Sequence, residues 1–194
     1  MSKRTLIFGL LIGYSINVQS QNNSTTGYSL EIDPTAFFYN GYSVHLKITP
    51  KNKKNFRFGI GIYSMELPDT FIYSSSNIKN IESDVDLEFA VGFFSEYFSN
   101  ENQSGWLVGF QLAQQELVYK NPSTNAVTEK ATVGLYMPYA GHRWNLNTHF
   151  YLLAWFGIGL INEDKKEIEF NGNTYNIQTS SVVTTGALHL GYEF

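Results

Sequence analysis

The sequence predicts an all-β protein built from consecutive antiparallel strands, and three patterns carry this prediction. Segments in which apolar and polar residues alternate recur along the chain, and clusters of Gly, Pro, Asn and Ser separate them. No segment has a convincing amphipathic-helix periodicity. Aromatic residues make up 16% of the 194 residues and charged residues only 15%, whereas about a quarter of an ordinary soluble domain is charged.

The composition also excludes several classes of function. A formal net charge of −4 leaves no basic face for nucleic acid, and the basic cluster from Lys51 to Lys54 is too short to form one. Without cysteine, the chain has no disulfide, no thiol nucleophile and no cysteine metal ligand. At this length we expect one domain.

The N-terminus has the three-part pattern of a secretory signal peptide. Lys3 and Arg4 precede an apolar run from Leu6 to Ile12, and Val18-Gln19-Ser20 has the character of a cleavage site. The apolar run is far shorter than the roughly 20 residues of a spanning helix, and no later segment qualifies. A buried N-terminal helix is the alternative interpretation. The predicted division is a signal peptide over residues 1–20, a polar leader over 21–27 and one exported domain over 28–194.

Eight strands account for the rest of the chain. In each strand the apolar residues fall mainly on one parity and the small or polar residues on the other, as period-two patterning requires. The sharpest alternation is in the fourth strand, where Asp84, Asp86 and Glu88 share one face and apolar residues share the other. The predicted strands cover approximately residues 28–38, 42–49, 56–63, 84–98, 106–113, 127–144, 150–160 and 181–194.

The last strand ends the chain abruptly, at Gly191-Tyr192-Glu193-Phe194. Such a strand needs a partner on each edge, and closure of the eight strands into a barrel supplies both. Most connections after even-numbered strands are short and those after odd-numbered strands are long, which is the asymmetry of a transmembrane barrel. The end with the short turns then collects the aromatic residues of a periplasmic girdle: Tyr97, Phe98, Trp144, Tyr192 and Phe194.

Three features place the apolar faces outward, against lipid, and not inward as in a soluble barrel. The polar faces carry glycines such as Gly59, Gly92 and Gly157, which weaken an exposed strand but suit a crowded interior. The apolar faces are rich in Phe and end in Trp and Tyr. Closure leaves no strand edge unpaired in lipid. The predicted fold is therefore an eight-stranded antiparallel up-and-down transmembrane β-barrel; a soluble periplasmic lipocalin-like carrier is the alternative.

The connection before the last strand predicts both a hairpin and a register. Asn171-Gly172 between two apolar segments is the strongest short hairpin signal available. A plain two-residue turn would place outward Phe150 opposite inward Glu193, so one extra residue is needed, and we predict a bulge between Leu160 and Thr184. The pairs that result are Phe150 with Phe194, Leu152 with Tyr192, Phe156 with Leu188, Trp155 with His189 and Leu153 with Gly191.

The mature chain resembles the small outer-membrane β-barrel proteins of the OmpA-like and OmpX-like group. The resemblance rests on the eight alternating strands, the order of short and long connections and the terminal Phe194. It implies location in the outer membrane of a Gram-negative cell, contact with outer-membrane lipid, and insertion by the barrel assembly machinery. We expect a monomer. Such families share no catalytic residues, so none carries over, and this chain has His189 where the usual assembly pattern places Gly.

Charged residues on the predicted inward faces form the candidate site. An eight-stranded barrel has an interior just wide enough for side chains to fill. Arg57 and Glu96 lie on adjacent strands, which favours an internal network of salt bridges and hydrogen bonds that satisfies buried charge. A narrow gated pore is the alternative. The predicted network contains Lys47, Arg57, Glu96, Arg143 and Glu193 in the periplasmic half, and Asp84, Asp86 and Glu88 higher in the barrel.

Catalysis and metal binding have weaker support in the sequence. An outer-membrane lipid-modifying enzyme is a further alternative, but it needs a His beside a Ser on the outer side. Only His45 lies there, and no Ser is clearly placed next to it. The carboxylates of the fourth strand lack the loop that wraps a calcium ion. We therefore expect no catalytic residue, no cofactor and no metal ion.

The outer connections are the remaining candidates for function. Residues 69–83 contain Phe71, Ile72 and Tyr73 among serines, and residues 162–178 mix acids, lysines and aromatics. Such residues on loops held by a rigid scaffold can bind an extracellular ligand, or they can form a hairpin surface without one. The predicted function is non-enzymatic: a structural or surface-interaction role through outer hairpins, with a plugged polar interior.

Overall fold

The structure is a computed structural model that describes residues 25–67, 84–120, 126–162, 165–170, 173–178 and 182–194. The predicted signal peptide, most of the polar leader and the whole of the 69–83 connection lie outside the described residues. Among the described residues, no helix is long and apolar enough to cross a membrane.

The described residues form ten strands and one short helix. The period-two segments of the sequence are strands, and the clusters of turn-forming residues end them. In chain order the elements are β1 Gly27–Ile32, α1 Thr35–Phe38, β2 Tyr42–Thr49, β3 Phe56–Glu66, β4 Asp84–Phe98, β5 Gly105–Lys120, β6 Val127–Asn145, β7 Phe150–Ile161, β8 Lys165–Phe170, β9 Asn173–Gln178 and β10 Val182–Glu193.

Eight of these strands close into an antiparallel barrel in the order β1-β10-β7-β6-β5-β4-β3-β2. The predicted eight-stranded barrel is confirmed, and the first and last strands pair directly, with Ser29 opposite Glu193. β8 and β9 form a separate two-stranded sheet between β7 and β10. The lower end of the barrel, as we call it here, carries the short turns 50–55, 99–104 and 146–149; the upper end carries the other connections.

The first strand is shorter than predicted. It ends at Ile32, and α1 follows where the sequence predicted strand as far as Phe38. Pro34 has a helical φ of −62° and no N–H to donate to a neighbouring strand. The Asp33 carboxylate accepts hydrogen bonds from the backbone N–H and the hydroxyl of Thr35, at 2.9 and 2.5 Å. Asp33 and Pro34 therefore turn the chain out of the sheet.

The strands carry apolar side chains outward and small or polar side chains inward. β3 alternates without interruption from exposed Phe56 to buried Tyr63. The predicted facing of β10 also holds, since Leu188 is 43% exposed whereas His189 is 3% exposed. Trp144, predicted for the aromatic girdle, points outward and is 47% exposed.

A β-bulge in β4 reverses the predicted facing of its upper half. Leu87 pairs with Leu117, but Phe89 pairs with Glu116, so β4 has one extra residue at Glu88. The register with β3 shifts at the same place. Because of this extra residue, Val85 and Leu87 turn inward and are 5% and 4% exposed. The prediction that the acidic face of this strand lines the lumen is therefore wrong.

The register of the last hairpin also differs from the prediction. Phe170 pairs with Asn173, as a two-residue connection requires, although residues 171 and 172 lie outside the described residues. β7 and β10 then pair without interruption, with Phe150 opposite Tyr192. The predicted pairing of Phe150 with Phe194 is thus wrong by two residues, as are the related pairs. The two registers differ by one residue. Five residue steps separate Leu160 from Lys165, whereas four separate Gln178 from Val182, so the extra residue is on the β7–β8 side of the hairpin.

Candidate functional site

Four charged side chains from four consecutive barrel strands meet inside the lower half of the barrel. We call Glu31, Lys47, Arg57 and Glu96 the interior ion network; none is more than 2% exposed. Each occupies an inward position, and Arg57 lies directly opposite Glu96 in the pairing of β3 with β4. Gly59 leaves room for the lysine, because a Cβ there would lie 2.2 Å from Lys47 Cδ.

The two cations and two anions of the interior ion network are interlocked. Arg57 Nε donates to Glu96 Oε2 at 2.5 Å, and Arg57 Nη2 lies 2.8 Å from Glu31 Oε1. Lys47 Nζ donates to Glu96 Oε1 at 2.9 Å and lies 3.8 Å from Glu31 Oε2. Formal charge within the network is zero. Each carboxylate therefore contacts both cations, which offsets part of the cost of removing all four from water.

Two tyrosines and a histidine complete the hydrogen bonding of the carboxylates. Tyr139 donates to Glu96 Oε1, and Tyr151 donates to Glu31 Oε1, each at 2.8 Å. Trp155 Nε1 donates to His189 Nε2 at 3.2 Å, and His189 Nδ1 lies 3.0 Å from Glu31 Oε2. Because indole nitrogen only donates, His189 Nε2 accepts this hydrogen bond, which leaves Nδ1 to donate to Glu31.

A second group of side chains fills the lowest part of the interior. The Arg143 guanidinium stacks on the Tyr151 ring, with Cζ 3.6 Å from the ring centroid. Arg143 Nη2 lies 2.9 Å from Glu193 Oε1, and its Nη1 donates to Gln103 Oε1 at 3.1 Å. Gln103 reaches inward from the turn between β4 and β5, where it adopts a φ of +52°. We call Phe98, Gln103, Arg143 and Tyr151 the lower plug; none is more than 4% exposed.

The upper half of the interior contains a cavity of about 380 Å³. Its floor includes Phe94, His45 and His189, and its walls continue to the upper strand ends. The walls are largely apolar, because Val85, Leu87 and their neighbours form a hydrophobic cluster inside the barrel. Side chains therefore fill the lower interior, whereas the upper interior retains open space.

The structure brings together only part of the predicted charge network. Lys47, Arg57, Glu96 and Arg143 are buried in the interior, and the Glu193 side chain is 37% exposed beside Arg143. Glu88 is not interior: its side chain is 51% exposed and pairs with Lys130. The half-buried carboxylate of Asp86 pairs with Lys120. Asp84 lies opposite Lys120 in the register of β4 and β5.

Glu31 is the member of the interior ion network that the sequence reasoning missed. Ser29 and Glu31 alternate with Tyr28 and Leu30, so the facing of Glu31 could have been read from the pattern. The extension of the predicted first strand through Pro34 obscured this short alternation.

Glu88, Glu116 and Lys130 form an outer cluster on the barrel exterior. Lys130 Nζ donates to Glu88 Oε2 and, at 3.0 Å, to Glu116 Oε1. The cluster lies above the outward apolar residues of β5, which end at Leu112 and are followed by exposed Gln114. These charges mark the upper boundary of the apolar exterior.

The predicted girdle residues Trp144, Tyr192 and Phe194 lie near the lower end. The Tyr192 and Phe194 rings make edge contact at 5.2 Å between centroids. The His142 ring lies 4.4 Å from Trp144 and 5.0 Å from Trp106. Phe98, predicted for the same girdle, instead packs inside the barrel because its position on β4 faces inward.

A serine does lie beside His45, contrary to the expectation from sequence. Ser43 Oγ is 2.7 Å from His45 Nε2, because residues two apart on a strand share a face. His45 Nδ1 has no hydrogen-bond partner among the described residues, whereas a base in nucleophilic catalysis needs a group there to orient it. A Cβ at Gly61 would lie 2.4 Å from this nitrogen, so β3 packs against it closely.

Comparisons with known proteins show what the fold is similar to. No protein-family model matches the chain, and no curated protein matches it. The N-terminal β-barrel domain of OprF from Pseudomonas aeruginosa matches with a TM-score of 0.50 at 10% identity, over 90% of this chain and 100% of that domain. This likeness shows a shared β-barrel fold.

Two other solved structures are also similar in outline. A major outer membrane protein from Thermus thermophilus matches with a TM-score of 0.47 at 14% identity, over 88% of this chain and 100% of that one. Neisserial surface protein A matches with a TM-score of 0.41 at 13% identity, over 87% and 94% of the two chains.

Proposed function

We propose that this chain is a monomeric integral outer-membrane β-barrel, closed at its lower end, that acts without catalysis through its upper hairpins. Its lower end faces the periplasm and its upper end faces outward. It enters the membrane through the barrel assembly machinery after removal of residues 1–20. The apolar exterior of the barrel is the observation that carries this proposal.

The exterior of the barrel is far more apolar than the surface of a soluble monomer. Large apolar side chains on all eight barrel strands are exposed, including Ile60 at 59%, Val108 at 58% and Phe156 at 59%. Soluble monomers rarely expose contiguous apolar patches of more than a few hundred Å². The interior ion network, in contrast, buries four charged side chains inside the barrel. This inverted distribution of polarity fits a barrel surrounded by lipid.

The height of the apolar exterior fits a bilayer. On β7 the outward apolar positions run from Phe150 to Leu160, which is ten residue steps. At about 3.3 Å per residue and a tilt of about 40°, these steps rise about 25 Å along the barrel axis. The apolar band of outer-membrane barrels has this height. Aromatic Trp144 and Phe194 lie at its lower edge, where a girdle contacts lipid headgroups.

The filled lower interior supports a role other than conduction. The interior ion network and the lower plug leave their side chains with at most 4% exposure. An ion passing between them would have to separate paired, desolvated charges. The upper connections, including the hairpin β8–β9, then remain as the surface for an extracellular ligand, in the way that loops on a rigid scaffold usually carry function.

Heat modifiability after cell fractionation tests the proposal. The full chain is expressed with its N-terminal segment, membranes are separated, and boiled and unboiled samples are compared on a detergent gel. We expect the protein in the outer-membrane fraction, with a mobility shift on boiling that reports a closed barrel. Recovery in the soluble fraction without a shift would overturn the membrane assignment and favour a carrier with a hydrophobic ligand.

A further inference from the structure

The upper cavity has no role in the proposed function, and its walls show how it arises. The bulge at Glu88 turns Val85 and Leu87 into the barrel, where they pack with Leu117. Across the interior, the upper half of β10 contributes only the short side chains of Val183, Thr185 and Ala187 to the lining. The side chains of one wall are therefore bulky and apolar, whereas those of the facing wall are small. A cavity of about 380 Å³ remains between the two walls. Ligand pockets begin at about 300 Å³.

A polar trio on the cavity wall has unused hydrogen-bonding capacity. The Nε2 atoms of Gln111 and Gln115 both donate to Tyr63 Oη, at 2.9 and 3.1 Å. Tyr63 is 7% exposed, and its hydroxyl has no acceptor among the described residues. Whichever way the two amides are turned, these two bonds leave several donor hydrogens and carbonyl oxygens of the trio unused. Because all three residues line the cavity, a bound molecule can reach this unused capacity.

The charge of the lining restricts the ligand. Of the described residues that line the cavity, none is Lys or Arg. Asp33 lines it and is an acid, while His189 is already engaged with Trp155 and with the Glu31 carboxylate. An anionic head would therefore be buried without a counter-charge, which is costly. An uncharged head that both donates and accepts hydrogen bonds matches the trio.

We infer that the upper cavity is a binding site for a neutral amphiphile. The uncharged head, such as a hydroxyl group, hydrogen-bonds to Tyr63, Gln111 and Gln115. The apolar chain lies along Leu87 and Leu117 toward the upper strand ends, where the ligand enters. This inference is independent of the role of the outer hairpins.

Quenching of Trp155 fluorescence tests this inference, because Trp155 lines the cavity. Trp106→Phe and Trp144→Phe remove the other two tryptophans, which lie on the exterior. The barrel is reconstituted in lipid vesicles, since detergent would compete for the site, and 10-bromodecanol is titrated as a neutral quencher. We expect saturable quenching. The bromine-labelled decanoate, an anion of equal chain length, should bind at least about tenfold more weakly.

Four variants separate cavity binding from partition into the bilayer. Tyr63→Phe removes one hydroxyl and should weaken binding about tenfold, whereas Gln114→Leu, on the exterior of the same strand as the two glutamines, should leave it unchanged. Ala187→Phe fills the cavity and should abolish saturation; Thr185→Phe does so from the next inward position if Ala187→Phe loses its shift on boiling. Linear quenching that persists in the filled variant would overturn the cavity site. Equal binding of the anion would overturn the neutral head.

Discussion

Glu96 is the residue on which the interior ion network depends most directly. Its two oxygens contact Arg57, Lys47 and Tyr139, at 2.5 to 2.9 Å. We predict that Glu96→Gln, which leaves a net positive charge buried, lowers the free energy of unfolding by about 3–5 kcal/mol. Urea unfolding in lipid vesicles, followed by Trp fluorescence, measures this change.

Glu116→Gln is the matched control for that prediction. Glu116 also pairs with a lysine, Lys130, but on the barrel exterior in the outer cluster. Exposed ion pairs contribute little, so the midpoint of unfolding should not move measurably. Equal losses from the two variants would show that the interior charges are screened by water, and the closed lower interior would then be wrong.

Gly191 is required because a tyrosine ring occupies the space where its side chain would be. A Cβ at this position would lie 2.0 Å from Tyr151 Cζ. Tyr151 also supports Arg143 and donates to Glu31, so it cannot move freely. We predict that Gly191→Ala costs about 1–3 kcal/mol of unfolding free energy through overpacking. Gly27→Ala, where the nearest atom is 3.5 Å away, should be neutral in the same urea titration.

At the scale of the element, the bulge in β4 decides what the upper barrel contains. Regular alternation would place Glu88 inside and Leu87 outside. The extra residue at Glu88 reverses both, so the acids join the outer surface and the leucine joins the cavity wall. The strand twists more strongly at such a site, and one residue changes the chemistry of the lumen.

Single-cysteine labelling tests the position of this bulge, because the natural chain contains no cysteine. Glu88→Cys should react rapidly with a polar maleimide added to intact cells. Leu87→Cys, whose parent side chain is 4% exposed inside the barrel, should react much more slowly. The reverse order of labelling rates would contradict the bulge. It would show that β4 alternates regularly and that its carboxylates face the lumen.

At the scale of the whole molecule, the orientation of polarity separates a membrane barrel from a soluble one. Phe156 is 59% exposed at the middle of β7. In lipid, Phe156→Lys should cost about 2–4 kcal/mol of unfolding free energy, because the charge lies near the bilayer midplane. Gln114→Lys, above the apolar exterior, should cost almost nothing. If neither variant destabilised the protein in vesicles, the exterior would not be facing lipid.

Conductance is a second property of the whole molecule. Because the interior ion network and the lower plug fill the lower lumen, we predict no single-channel steps in a planar bilayer at moderate voltage. The control is an equal amount of protein boiled before addition. Reproducible steps whose ion selectivity changes with Lys47→Met would instead support the gated pore.

The sequence by itself determined the eight barrel strands, their order, the aromatic lower edge and the inward position of Lys47, Arg57, Glu96 and Arg143. These properties depend on local alternation and on connection length, both of which are visible in a single chain. Arg57 opposite Glu96 could be predicted because adjacent strands with one buried face have few possible registers. The same alternation would have identified Glu31, had the first strand been ended at Pro34.

The tertiary structure decided the bulge at Glu88, the register of Phe150 with Tyr192, the Ser43–His45 contact and the upper cavity. Each depends on how a strand packs against neighbours distant in sequence. Perfect alternation in β4 was misleading because an extra residue changes facing without altering the local pattern. Likewise, whether an eight-stranded interior is filled depends on side-chain volumes from opposite walls, such as Leu87 and Ala187, which only closure of the barrel brings face to face.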